Sequence, residues 1–440
     1  MARARRRVKR VTYGWWVAVA GAFNMMFSSG PTFQASSALF AAIDSEFGWS
    51  RAVVTGVASF GRFGGALLGP VEGWMSDRFG PARMVLLGFT LGGLGLIAFS
   101  MIQGPVAYYA AFLLISVGFS IGGFTPSMVS VNAWLPKRRA TGMAMVVGGS
   151  SIGGFSVPLI VWGINSYGWR PTVLVIGLMT MAVGPFIAWV LARKAPLPEE
   201  MEPADEDDDA STLSAENPRL RPAYDFTVKQ AMRTRAFWSM SLTHTLANLS
   251  VSAVSAHVFL QLLAIGLSDG LASTIIPIMG VTAFTSQMLG GILGDRMDKR
   301  IPVSILLLFQ GAGVALLAVA SSYPTAVLFA IVWGVGFGAR TPMLHAMRGE
   351  YFGRRHYGTI LGMSSFPMAM GMMITPFTVG YIFDVQETYR WSFLVLAGAC
   401  VLASALILLA KRPAPPAQQH FTRPSTGPAE PVGKGEATAG

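Results

Sequence analysis

Charge and cysteine are both scarce in this chain. Lys, Arg, Asp and Glu make up 12% of its 440 residues, about half the share carried by a typical soluble protein. So few charges cannot dress a soluble surface of this size, which excludes an ordinary soluble enzyme and a disordered chain. Cys400 is the only cysteine, so an internal disulfide and a multi-cysteine metal site are excluded as well. The chain has no Gly-x-x-x-x-Gly-Lys-Ser/Thr phosphate loop and no His-Glu-x-x-His, and its five His are scattered. ATP-driven pumping and membrane metalloproteolysis therefore lack their chemistry, and no residue set calls for a metal or a cofactor. Long alternating strands are missing too, which disfavours a β-barrel.

What the sequence has is hydrocarbon. Hydrophobic residues are 52% of it, mean hydropathy is +0.51, and its solvent is read as lipid. About 20 apolar residues cross a bilayer core as a helix. Twelve runs qualify: 14–36, 52–72, 83–102, 106–131, 140–163, 171–192, 236–263, 271–293, 301–321, 325–347, 357–382 and 391–410. The fold class expected is all-α integral membrane, with twelve transmembrane helices.

The net charge of +11 would suit nucleic acid, but its placement points to a membrane. Twenty-eight of the 33 basic residues fall in the two tails or in loops on one side of the spans. Arg51, Arg170 and Arg390 lie on the other side, and Arg62 and Arg340 lie inside spans. This bias places both termini in the cytoplasm of a cell (inner) membrane. The Arg-rich start before an apolar run resembles a signal peptide, but eleven further spans make a retained first helix the better reading. The expected order is a tail (1–13), a six-helix bundle (14–192), a linker (193–235), a second bundle (236–411) and a disordered tail (412–440). The linker carries Asp205-Glu206-Asp207-Asp208-Asp209, without the ligand spacing and turn Gly of an EF-hand.

The chain repeats itself. Gly73-Trp-Met-Ser-Asp77-Arg78-Phe-Gly80-Pro-Ala-Arg83 closes span 2, and Gly291-Ile-Leu-Gly-Asp295-Arg296-Met-Asp298-Lys299-Arg300 closes span 8. Gly118-Phe-Ser-Ile-Gly122-Gly-Phe-Thr125-Pro126 in span 4 returns in span 10 as Gly334-Val-Gly-Phe-Gly338-Ala-Arg340-Thr341-Pro342. Both pairs lie about half a chain apart, which indicates two parallel six-helix halves around a midplane site.

On the Gly-x-x-x-Asp-Arg-x-Gly-x-x-Arg signature, its weaker copy and the twelve spans, the chain resembles the major facilitator superfamily over about residues 12–411. Tyr13-Gly14-Trp15-Trp16-Val17, Glu46-Phe47-Gly48-Trp49-Ser50-Arg51 and Tyr351-Phe352-Gly353-Arg354 are similar to the monocarboxylate porter and oxalate/formate antiporter branch. The resemblance implies two pseudo-symmetric six-helix bundles, alternating access, no enzymatic activity and a protein that works as a monomer. It also implies that Gly73, Asp77, Arg78, Gly80, Arg83, Asp295 and Arg296 latch the cytoplasmic side in the outward-facing state. Arg78 and Arg83 are expected to pair with acidic partners across their loop.

Arg62 and Arg340 each lie about 11 residues, or roughly 16 Å, from the end of their span. A charge at that depth costs at least ~2.5 kcal/mol on insertion scales, so each should face the cavity or a counter-ion. No Asp or Glu is expected at the same depth. Guanidinium can grip a carboxylate with two parallel hydrogen bonds, and an anionic substrate becomes the economical counter-ion. The branch usually places a Lys in span 1 and an Arg in span 8; by motif alignment Gln34 and Gln287 stand there. Both can donate to a substrate or join helices. Asn248 shares a face with His244, one turn apart, that can line the cavity. His257 and Glu72 are the candidates for carrying a coupling proton. Asn132 and Trp134 suit an interface or gate. Glycine stripes at 61–65–69 and 149–153 suit close helix crossings, and Pro31, Pro126, Pro158, Pro342 and Pro376 can bend helices.

The leading reading is a secondary transporter of a small organic anion driven by a proton or counter-substrate gradient. A drug or cation exporter on the same fold, or a non-transporting membrane ligand sensor, are the alternatives. Two midplane arginines repel cations, which weighs against the exporter.

Overall fold

The computed structural model describes residues 2–30, 36–49, 51–193, 195 and 224–414. Every regular element among them is helical. In hydrocarbon each backbone N–H and C=O must be satisfied within its own segment, so apolar runs of this length fold as helices. Span 1 lies in Ala2–Ser29, a separate helix covers Ser36–Phe47, span 2 is Arg51–Phe79 and span 3 is Pro81–Ser100. Span 4 is Pro105–Gly122 and Phe124–Trp134. Span 5 runs from Arg139–Gly153 through a short 3-10 turn into Val157–Tyr167, and span 6 is Trp169–Leu191. Spans 7 to 12 are Arg235–Ala264, Asp269–Gly294, Arg300–Val319, Tyr323–Phe352, Tyr357–Gln386 and Arg390–Leu408. Spans 3 to 12 are each long and apolar enough to cross a membrane.

Several boundaries differ from the sequence reading. A further helix, Ser36–Phe47, starts at the expected end of span 1, and near its close Glu46 pairs with Arg170 at 2.8 Å and accepts from Trp169 at 2.5 Å. The expected N-terminal tail is helical from Ala2, since Arg is a good helix former. Span 10 does not stop at 347. The helix runs on through Gly349 to Gly353, whose φ of 86° ends it, so Arg348 lies inside the span and is buried. The end of the linker is ordered: a capping box of Thr227 and Gln230 opens the helix Val228–Met232. The acidic run 205–209 and residues 415–440 lie outside the described residues.

Spans 1–6 and spans 7–12 form two bundles that meet along spans 2 and 11 and along spans 5 and 8. Small residues make both seams. A Cβ on Gly73 would strike the Gly358 carbonyl, and one on Gly291 would lie 2.6 Å from the Ala144 Cβ. The stripe expected in span 5 packs inside the first half, where Gly149 abuts the Ala22 backbone. The break in span 4 falls four residues before Pro126, which cannot donate to Gly122. Buried Asn24 of span 1 supplies the missing donor, reaching Gly122 O at 2.8 Å and Gly123 O at 2.9 Å. In span 11 Pro376 likewise leaves Met372 O free, and Ser252 Oγ donates to it at 2.6 Å.

Candidate functional site

Two features stand out: a closed seam at the end where the basic loops gather, and a buried cationic cluster deeper in the second half. At the seam Asp77 ends span 2 and faces the start of span 11. Its carboxylate accepts from Gly358 N at 2.9 Å, Thr359 N at 2.7 Å and Thr359 Oγ1 at 2.7 Å. Asp295 does the same from the other half. It accepts from Ala140 N at 2.8 Å, Thr141 N at 3.0 Å and Thr141 Oγ1 at 2.5 Å. Each carboxylate therefore caps the first turn of a helix in the opposite bundle, where free N–H groups and the helix dipole favour a negative charge. Gly80, at φ 87°, makes the turn after span 2 that aims this end.

Further bonds close the same end. Asn132, expected at an interface or gate, donates to Gly353 O at 3.2 Å, and Arg354 Nη1 donates to Ala133 O at 2.7 Å. Asp225, from the end of the linker, accepts from Arg354 N at 2.6 Å and from Arg355 N at 3.1 Å. Burial holds the Arg354 guanidinium below its ordinary range, against the pull of Asp225. The acid pairing expected for Arg78 and Arg83 is not found among the described residues. Arg78 lies over the Trp74 ring at 5.7 Å, and Arg83 and Arg296 are exposed without an ion pair among the described residues. No acid stands opposite them, because Asp77 and Asp295 face backbone N–H groups instead.

The deeper cluster is built by spans 7, 9, 10 and 12. Arg340 is completely buried near the middle of span 10. Its Nε donates to Gln310 Oε1 at 2.5 Å, while Nη1 and Nη2 have no hydrogen-bond partner. Gln310 is held by its own amide nitrogen, which donates to Ala247 O at 2.9 Å and Ser250 Oγ at 2.8 Å. Cys400 Sγ donates to the same hydroxyl at 3.5 Å. Eight residues along span 10, Arg348 donates from Nη2 to His244 Nδ1 at 3.1 Å and from Nη1 to Leu344 O at 3.3 Å. The His345 ring meets the His244 ring at 5.2 Å and the Phe124 ring of the first half at 5.2 Å. Both imidazoles lie within electrostatic reach of both guanidiniums, and among the described residues no carboxylate acts on any of the four groups. Among the described residues no ion pair reaches Arg340 or Arg348. Glu350 is held by Lys299 at 2.5 Å, and buried Glu72 accepts from Ser120 Oγ.

The remaining residues singled out from the sequence are spread along the helices. Gln287 lies in the seam, where Nε2 donates to Ala144 O at 2.7 Å across the halves. Asn248 is one turn from His244 and donates to His244 O at 2.7 Å. His257 contacts Pro376 O at 3.0 Å and the Tyr389 ring at 5.2 Å, away from the cluster. Arg62 is placed in span 2 by its backbone, but its side chain lies outside the described residues, and so does Gln34. Sequence reasoning missed Gln310, His345 and Arg348. The signal was present: 340, 344, 348 is a helical stripe, and Gln310 is a lone amide in an apolar run.

The Major Facilitator Superfamily profile matches residues 17–284 and 258–436. Monocarboxylate transporter 13 of Rattus norvegicus is 24% identical over 408 residues, covering 90% of this chain and 88% of that protein. Monocarboxylate transporter 4 of the same species is 25% identical over 414 residues, covering 91% and 84%. Among solved structures, the human organic anion transporter MFSD10 (TETRAN) aligns with a TM-score of 0.65 at 17% identity, covering 91% of this chain and 99% of that one. The transporter FucP in its outward conformation aligns at 0.69 with 13% identity, covering 90% and 99%. At these identities the structural likenesses speak to the fold.

Proposed function

The chain belongs to the major facilitator superfamily, and from that premise we propose that it carries a small organic anion, a carboxylate, across the cell membrane by alternating access. One observation carries the choice of cargo. Arg340 is a fully buried guanidinium with two terminal nitrogens unpartnered and no carboxylate paired to it among the described residues. Burying an unpaired charge costs several kcal/mol, and a carboxylate cargo supplies the missing anion with the two-pronged geometry guanidinium favours. Arg62 of span 2 is the proposed second cation from the first half. Relatives named monocarboxylate transporters support this reading.

The basic end is assigned to the cytoplasm on its loop charge. The Asp77 and Asp295 caps then close the cytoplasmic side, and their release opens it. Gln287, with Asn132 and Arg354, stiffens that closed seam. The driving force is a proton or counter-substrate gradient. The test is uptake into proteoliposomes of labelled lactate, pyruvate, oxalate and succinate, with and without a pH gradient. Saturable uptake of at least one of them is expected. Transport of lipophilic cations with no carboxylate carried would refute the reading.

A further inference from the structure

We infer that His345 is the group that takes up a proton when the anion enters, so that cargo and proton are bound as one linked event. This rests on the anion reading above. His345 is buried on span 10, five residues from Arg340 and three from Arg348, and its Nδ1 has no hydrogen-bond partner. His244 is differently placed. Its Nδ1 faces an Arg348 Nη2 at 3.1 Å, and a guanidinium can only donate. That fixes His244 as the acceptor there, with its ring proton on Nε2. To gain a second proton it must give up the Arg348 bond, whereas His345 Nδ1 has no bond to give up.

The groups that touch or act on His345 among the described residues come from spans 4, 7, 10 and 11. Span 10 contributes Arg340 and Arg348, and span 7 contributes His244. From span 11 the Tyr357 hydroxyl donates to His345 O at 3.2 Å. Span 4 contributes the uncharged Phe124, and span 5 brings Met143 against the Tyr357 hydroxyl. Asp77 and Arg139 act on Tyr357 at the seam side. With two guanidiniums near and no carboxylate among the described residues, a third positive charge is repelled. A carboxylate entering beside Arg340 removes one unit of positive charge, and a proton on His345 Nδ1 restores it. The loaded cluster then has the net charge of the empty one. By linkage, whatever the anion does for the proton, the proton does for the anion. His257 and Glu72, the candidates from sequence, lie outside this field.

The test uses the full chain in proteoliposomes, with the carboxylate among lactate, pyruvate, oxalate and succinate that the wild type exchanges. A pH step of about one unit drives about tenfold accumulation per proton. The wild type is expected to show that accumulation, with anion-triggered proton entry reported by trapped pyranine. In His345→Gln the ratio of gradient-driven to gradient-free uptake should fall to about 1, and the proton signal should vanish. A wild-type ratio in His345→Gln, or no proton movement with the anion in wild type, would overturn the inference. Absence of any carboxylate exchange in wild type would instead overturn the anion reading. Should the variant not fold, histidine-labelled wild type read by carbon NMR decides. The His345 resonance is expected to move to the imidazolium position on adding the same carboxylate, and an unmoved resonance overturns the inference.

Discussion

Arg340 Nε and Gln310 Oε1 are joined at 2.5 Å, and this bond orients the guanidinium without neutralising it. Gln310 is itself fixed by Ala247 O and Ser250 Oγ, so its carbonyl oxygen is the atom left for Arg340. A neutral acceptor here leaves the guanidinium charge uncompensated, with Nη1 and Nη2 unpartnered. That is the arrangement the proposed anion site requires.

Gln310→Glu places a resident carboxylate against Arg340. It should raise thermal stability, because an unpaired buried charge gains a partner. It should also lower carboxylate uptake by about tenfold or more, because a charge-assisted bond of about 1.5–3 kcal/mol now competes with the cargo. Thermal melting and uptake on the same preparation check both. Higher stability with unchanged uptake would separate Arg340 from transport.

The two aspartate caps should act as a pair. Asp77→Asn and Asp295→Asn each remove the charge that three donors in the opposite half converge on. Each loss is worth roughly 1–3 kcal/mol, enough to shift a two-state equilibrium by about tenfold. Spin labels at exposed Lys137 and Arg355 report the distance between the halves at this end. The expected result is a second, longer distance in each variant, dominant in the double variant. A single unchanged distance would mean that the caps do not hold the seam.

Much of this was legible in the sequence, and the reasons are specific. Twelve apolar runs and the 73–83 and 291–300 repeats fix the number of spans and the two halves, because hydrocarbon leaves the backbone no other option. Asp77 and Asp295 were legible as a motif, but their partners were not, since the N–H groups of Gly358, Thr359, Ala140 and Thr141 carry no side-chain signal. The apolar run ends at 347, which on sequence alone puts Arg348 in a loop, although the helix continues in buried, polar form to Phe352. Arg340 was legible as a charge in the middle of an apolar span. What the sequence could not supply was its neighbourhood of Gln310, Cys400 and His244, which come from three other spans. Gln287 was ambiguous between ligand and helix contact, and its bond to Ala144 O is a helix contact.

Gly73 and Gly80 are required for different reasons, and substitution distinguishes them. A Cβ at Gly73 collides with the Gly358 backbone, whereas one at Gly80 meets nothing within 4 Å. Gly73→Ala should therefore widen the Lys137–Arg355 label distance. Gly80→Ala should cost about 1–3 kcal/mol of backbone strain at its positive φ, read as a lower melting temperature with the label distance retained. Equal effects of the two variants on that distance would contradict the packing argument.

The central claim is that Arg340 is kept cationic and unpaired for an anionic cargo, and Arg340→Gln tests it most directly. Removing a buried unpaired charge should stabilise the fold, so the variant is expected to melt at a higher temperature than wild type. Its uptake of the transported carboxylate should fall by about 100-fold, as the loss of a two-pronged charged contact implies. Wild-type KM and kcat for that carboxylate in the Arg340→Gln variant would contradict the account.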